Sequence, residues 1–345
     1  MLDRWMDRFD GWQRERTWAS FPLAVVKKFG DDRAGNLAAL VAYYSFFSIF
    51  PLLLVLTTVL GRVLSDSPDL QSRVLDSALV QLPVIGDQLR ENVDGLPGSG
   101  LALAIGIVGA LWAGMGAVLA MQTALDGVWN VPLGRRPNAL VGRLRALAVL
   151  ALLGTGVVLL TASAPLVRSV ASVPVVGSLA SVAVAFLLAL GLFLATFRLL
   201  TDTPVSWADQ LPGAAGAAIA WSVLQLLGAA FVRHWVEGAA GASGVFAVVI
   251  GLLSWLYLQA QLTVLAAEIN VVRRERLWPR SLTGRGLGEG DRRALARYAA
   301  VEKRVEGQDV VVDLRPPAVD GFVRTSAADD EVDRDRSRAV PRAGS

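Results

Sequence analysis

Six stretches of this chain contain no Asp, Glu, Lys or Arg: Leu37–Gly61, Leu96–Leu125, Ala146–Val167, Ser169–Phe197, Gln210–Val232 and Gly238–Ala267. The hydrocarbon core of a bilayer is about 30 Å thick and a helical residue rises about 1.5 Å, so about 20 apolar residues make a crossing. Each stretch is long enough. The pattern predicts an all-α fold, a polytopic membrane helical bundle with six transmembrane helices. The first run starts only at Leu37 and is too long for the apolar region of a signal peptide, so it reads as an uncleaved first span.

The flanks carry other periods. Leu2, Trp5, Met6, Phe9 and Trp12 recur at helical spacing among Arg4, Arg8, Arg14 and Arg16. Residues 1–36 are thus predicted to be an N-terminal amphipathic segment, either lying in the membrane interface with arginines toward phosphate or packed on the membrane domain. Between the first two spans, Leu70, Val74, Leu75, Leu79, Leu82, Ile85, Leu89 and Val93 suggest two short amphipathic helices in an outer loop, 62–98, broken at Pro83 and Gly86. Beyond the membrane domain, 37–272, the segment 273–345 reads as a basic tail. It holds one short charged helix within Glu289–Gly307, followed by Pro316, Pro317 and mixed charges that predict disorder.

Charge sets an orientation. With six spans and the N-terminus inside, 28 of the 33 Lys and Arg residues fall on the inner side and five on the outer. That asymmetry predicts cytoplasmic N- and C-termini. It also accounts for the pI of about 9.6 without a nucleic-acid partner, since basic inner loops suit anionic lipid. The run Arg273, Arg274, Arg276, Arg280, Arg285 reads as a contact with lipid headgroups. Membrane lipids are the expected partners, with a lipid or small solute as substrate.

Polar side chains inside an otherwise apolar span are the first place to look for a site. Gln122, Asp126 and Asn130 stack on one face at the inner end of span two. Gln261 and Glu268 share a face near the inner end of span six. Tyr43, Tyr44, Ser45 and Ser48 lie in the inner half of span one, just before Pro51, and Arg198 closes span four at the same depth. One reading has Arg198 pinning helices together by pairing with Asp126 or Glu268. The other has all these residues lining a polar cavity open to the cytoplasm. Pro51 frees a backbone carbonyl in mid-span, which polar groups or water would have to satisfy. Ala102, Gly106, Ala110 and Gly114 form a small-residue stripe suited to close helix contact.

The chemistry of enzymes is poorly represented. There is no cysteine, and His234, the single histidine, falls at an outer loop edge. Neither a histidine-built metal centre nor a Ser-His relay can form within the membrane. No glycine-rich phosphate loop with Lys-Ser/Thr occurs, and the span carboxylates are limited to Asp126 and Glu268. No catalytic residue, metal or cofactor is expected, and the chain is not expected to be an enzyme.

Several of these stretches together resemble the YihY/BrkB family of bacterial inner-membrane proteins, over roughly Phe29 to Arg274. The marks are Ala38-Ala39 with Tyr43-Tyr44-Ser45-Phe46-Phe47-Ser48-Ile49-Phe50-Pro51, then Ala124-Leu125-Asp126 near Trp129-Asn130. Ser206-Trp207 leads to Leu211-Pro212-Gly213. Span six offers Gly244-Val245-Phe246, Leu253-Ser254-Trp255-Leu256-Tyr257-Leu258 and Ala267-Glu268-Ile269-Asn270. Asp126 departs from the pattern, where Asn is expected. The resemblance implies a six-helix integral membrane protein concerned with the envelope, as a transporter or lipid handler. Members have also carried a ribonuclease label, which the residues above do not support. A non-transporting membrane scaffold is the competing expectation.

Overall fold

A run of apolar residues in lipid can satisfy its backbone polar groups only by closing on itself, and the observed elements are helices throughout. The computed structural model describes residues 2–63, 100–170, 174–236, 244–284, 286–305 and 307–313. In chain order the helices are α1 (Leu2–Arg14), α2 (Thr17–Asp31), α3 (Ala34–Val63), α4 (Gly100–Val128), α5 (Ala139–Val170), α6 (Pro174–Leu200), α7 (Trp207–Val236), α8 (Gly244–Glu275) and α9 (Glu289–Val301). Six of them, α3 to α8, are long and apolar enough to cross a membrane. Among the described residues there is no strand.

Helix ends depart from the charge-free runs for a physical reason. Hydropathy marks what lies in hydrocarbon, whereas a helix continues until its terminal N–H and C=O groups find caps. Thus α5 begins at Ala139, ahead of Arg143 and Arg145, because the Asn138 side chain accepts the N–H of Val141 at 2.9 Å. Ser206 opens α7 with a reciprocal box: its Oγ accepts the Asp209 N–H at 3.2 Å, and the Asp209 carboxylate accepts the Ser206 N–H at 3.2 Å. At the other end of α4, Asn130 takes a left-handed conformation (φ 52°). The Val131 N–H then bonds the Asp126 carbonyl at 2.9 Å, a Schellman closure. Asn130, read as a cavity residue, is the stop of that helix.

The six spans pack as a ring in which each touches its neighbours in the order α3, α4, α5, α6, α7, α8 and back to α3, with α4 also reaching across to α6 and α8. Small residues permit the approach. The Pro51 ring lies against Gly109, Tyr44 against Gly116, and Leu150 of α5 against Gly114. Gly213 matters most. A Cβ there would sit 2.3 Å from the Ala266 carbonyl, and its N–H donates to Asn270 Oδ1 at 2.6 Å. Pro212, just before it, leaves that turn of α7 short of a backbone donor, and the α8 side chain supplies the cross-helix link.

Among the described residues the packed core gathers at the end of the ring where α1, α2 and α9 lie; we call this the capped end. The chain is one compact unit over Met1–Val310. α1 docks through its polar side: Gln13 donates to the Arg280 carbonyl at 2.7 Å, Asp10 accepts the Leu282 N–H at 2.9 Å, and Arg14 donates to the Gly286 carbonyl. Its aromatics face outward. The helix expected within Glu289–Gly307 is present as α9. The two helices expected in the 62–98 loop, apart from the end of α3, and the disorder expected past Asp313 concern residues outside the described ones.

One expectation is overturned here. Arg280, read as a headgroup contact, is 3% exposed and bridges Asp31 on α2 (2.7 Å) and Asp291 on α9 (2.9 Å). A pair of carboxylates from two elements outcompetes lipid phosphate for this guanidinium, because both are held in place by the fold. Burial alone would lower its pKa; the Tyr298 hydroxyl and the two carboxylates outweigh this and raise it.

Candidate functional site

α2 has its apolar positions at Phe21, Ala24 and Val25, and the next position of the same stripe is Lys28. The helix buries that stripe against α8 and α3, so the lysine goes in with it. Lys28 is fully buried, and oxygens from three sources surround its ammonium. The Val128 carbonyl, at the C-terminus of α4, accepts at 2.7 Å; Glu268 Oε2 on α8 lies at 3.0 Å; Asp32, just past the end of α2, forms a second ion pair. The negative end of the α4 dipole adds to the attraction. Tyr298 of α9 presents its ring 5.9 Å from the ammonium.

The charges do not balance. Two carboxylates face one ammonium, with Asp32 nearly and Glu268 wholly excluded from solvent. Neither Glu268 oxygen accepts a well-directed N–H or O–H hydrogen bond, its contact with Lys28 being an ion pair. Burial pushes the Asp32 carboxyl above the usual carboxylate range, although Lys28 pulls the other way. Desolvating charges costs several kcal/mol per ion, and an apolar core of similar volume would often be as stable. A cluster of this kind is a poor device for stability alone.

A second polar group lies at the same end. Arg145 of α5 pairs with Asp202 in the turn after α6, and Gln122 donates to the other Asp202 oxygen at 3.2 Å. Asp126, one turn along α4, is 3% exposed in the field of Asp202, Arg136 and Arg145, and its Oδ1 accepts no hydrogen bond.

The residues singled out in sequence therefore separate. Gln122 and Asp126 come together with Asp202; Glu268 joins Lys28. Tyr43 and Tyr44 pack edge to face at 5.5 Å on α3, partly exposed, with Tyr44 also against Gly116 of α4, and Ser48 donates to the Ser45 carbonyl at 2.7 Å within its own helix. Gln261 is half-buried near Gly35, as is the Tyr257 hydroxyl. Arg198 is half-buried and makes no ion pair among the described residues. The pairing of Arg198 with Glu268 or Asp126 is replaced by Lys28 with Glu268, because α2 folds back under α8 and delivers a nearer cation. Lys28, Asp32, Asp202 and Arg145 were missed as site residues. Lys28 had a signal, a cation within an apolar stripe with Asp32 four residues on; Asp202 had none, since its partners are distant in sequence.

Residues 25–285 match the family described as Virulence factor BrkB. The chain belongs to the BrkB family. The match begins within α2 and ends past Arg280, so it takes in Lys28, the whole ring and Arg280 but neither α1 nor α9. This BrkB-family chain is also similar to a ribonuclease-like protein, YfkH, of Bacillus subtilis, at 26% identity over 272 residues, covering 74% of this chain and 96% of that one. It is 22% identical to a UPF0761 membrane protein of Acinetobacter baylyi over 267 residues, 74% of this chain but only 62% of the relative's length. No solved structure matches. Among the residues that carried the resemblance, Ser206 starts a helix, Asn130 stops one, Gly213 and Asn270 lock α7 to α8, and Glu268 meets Lys28.

Proposed function

We propose that this BrkB-family chain is a multi-pass protein of the bacterial cytoplasmic membrane that handles a lipid or small solute, with the capped end in the cytoplasm and Lys28–Asp32–Glu268 as its working centre. The observation that carries this is the triad: three ionisable groups buried together with unequal charge, where a packing role would be better served by apolar side chains. The orientation rests on the excess of basic residues at the capped end. α1 lies along the cytoplasmic interface in this reading. Trp5, Phe9 and Trp12 form an aromatic row on the side away from its docking contacts, continued by Trp18 at the start of α2, at 5.6–5.7 Å between rings, and Arg16 stacks on Trp12. Interfacial depth is where such rings settle.

A scaffold is the second reading, favoured by the close burial of Glu268 and Asp126. RNA cleavage is not proposed; among the described residues no three His, Cys, Asp or Glu side chains could hold a metal. The test is reconstitution of the purified chain into liposomes carrying a fluorescent phospholipid in the inner leaflet or a small solute in the lumen. Movement of either beyond that in empty liposomes supports handling, and movement of neither favours the scaffold.

A further inference from the structure

We propose that Asp32 and Glu268 share one exchangeable proton above the Lys28 ammonium, so that the triad is a proton-binding site opening toward the capped end. The inference deepens the functional reading above and rests on it for its purpose, though not for its chemistry. It follows from a count of the groups facing the site. From α2 come Lys28, Asp31 and Asp32; from α8, Glu268; from α4, the neutral Val128 carbonyl. α9 contributes Tyr298, whose hydroxyl donates to Asp31 at 3.2 Å, and the turn before it contributes Arg280.

Arg280 is already committed to Asp31 and Asp291, so it neutralises neither member of the triad. Arg33, next along the chain, is exposed and makes no ion pair among the described residues. One positive charge is left for two carboxylates, out of water. A proton on the carboxyl pair restores neutrality, and like charges this close do not both ionise readily. The Asp32 and Glu268 carboxyls lie within hydrogen-bonding reach of each other, and such a proton can sit between them. The rise of the Asp32 carboxyl through burial agrees with this.

Occupancy has a mechanical consequence. With the proton bound, α2 is held on α8 by a neutral cluster. When the proton leaves to water at the capped end, the two carboxylates repel across the α2–α8 contact, and only Lys28 and the Arg280–Asp31 bridge hold it. Binding and release of a proton would thus alternate the packing of the cap.

Infrared spectroscopy of the full chain in lipid nanodiscs tests this by the carboxylic C=O stretch, which only a protonated carboxyl gives. The wild type is titrated first, from about pH 6 upward, where ordinary carboxyls are already ionised, with Asp126→Asn run beside it to subtract a buried carboxyl outside the triad. The expected result is a band that fades as pH rises and is lost in both Asp32→Asn and Glu268→Gln, since either substitution leaves one carboxylate for one ammonium. A band lost in only one variant would place the proton on that carboxyl alone and overturn the sharing. No pH-dependent band in the wild type beyond that of Asp126 would overturn the site, whether or not the variants fold. Because the readout needs no substrate, a proton found in a protein that moves nothing would sink the handling function and leave the site standing.

Discussion

At the scale of residues the account turns on which charge is indispensable. Lys28→Met leaves two buried carboxylates without a cation, while Glu268→Gln leaves Lys28 with Asp32. Removing a sole buried partner typically costs about 3–5 kcal/mol, so Lys28→Met should approach that loss and Glu268→Gln should cost clearly less. Arg198→Gln should change little. Thermal unfolding in detergent checks the order; a Glu268→Gln loss equal to that of Lys28→Met would mean that Asp32 does not hold the lysine. Asp32 also sets a pH dependence. Its folded pKa is raised above the unfolded value of about 3.9, so the folded state keeps a proton that the unfolded state has released. Its contribution is complete below about 3.9 and declines as pH rises through the folded value. Asp32→Asn should therefore lessen the fall in melting temperature as pH rises above about 3.9. An unchanged profile would contradict the assignment. Glu268 was legible in the sequence as a lone carboxylate in an apolar span, but its partner was not: Lys28 was read as a marker of topology, because a lysine beside a span ordinarily reaches water.

At the scale of elements, spans and their alternation were legible because hydrocarbon excludes charge and enforces helices. Contacts between elements were not, since they depend on which helix lies beside which. The α7–α8 joint shows this: Gly213 and Asn270 are unremarkable until the Gly213 N–H is seen on the Asn270 side chain. Gly213→Ala should cost about 1–3 kcal/mol or more, because the atom in its way is backbone. Gly191→Ala on α6, with nothing within 4 Å, should be neutral. Equal melting temperatures for the two would contradict the close approach. Docking of α1 has its own pH signature. Burial would raise the Asp10 carboxyl, but the Leu282 N–H, Arg14 and Gln13 outweigh it and hold the carboxyl below the usual range. That contribution is present above about pH 3.9 and is lost as pH falls through the folded value. Hydrogen exchange should show α1 loosening from residues 280–284 only under acid, and loosening at neutral pH would argue against the docking.

At the scale of the whole molecule, the capped end joins the N-terminal helices, the ends of all six spans and the segment to α9 into one assembly. That assembly escaped the sequence reading because 273–305 looks like an ordinary basic flank. Its sidedness can be read from single cysteines in this cysteine-free chain. Asn138→Cys, on the exposed turn before α5, should be labelled only from the cytoplasm. Labelling from outside would invert the orientation. The claim on which most depends is that the buried triad works rather than pins. The most direct test compares wild type and Glu268→Gln in the same proteoliposomes, each first shown to be folded by its melting transition. The account expects the folded Glu268→Gln protein to lose lipid or solute movement by on the order of tenfold or more, a barrier change of about 1.4 kcal/mol. Undiminished movement in that folded variant would contradict it.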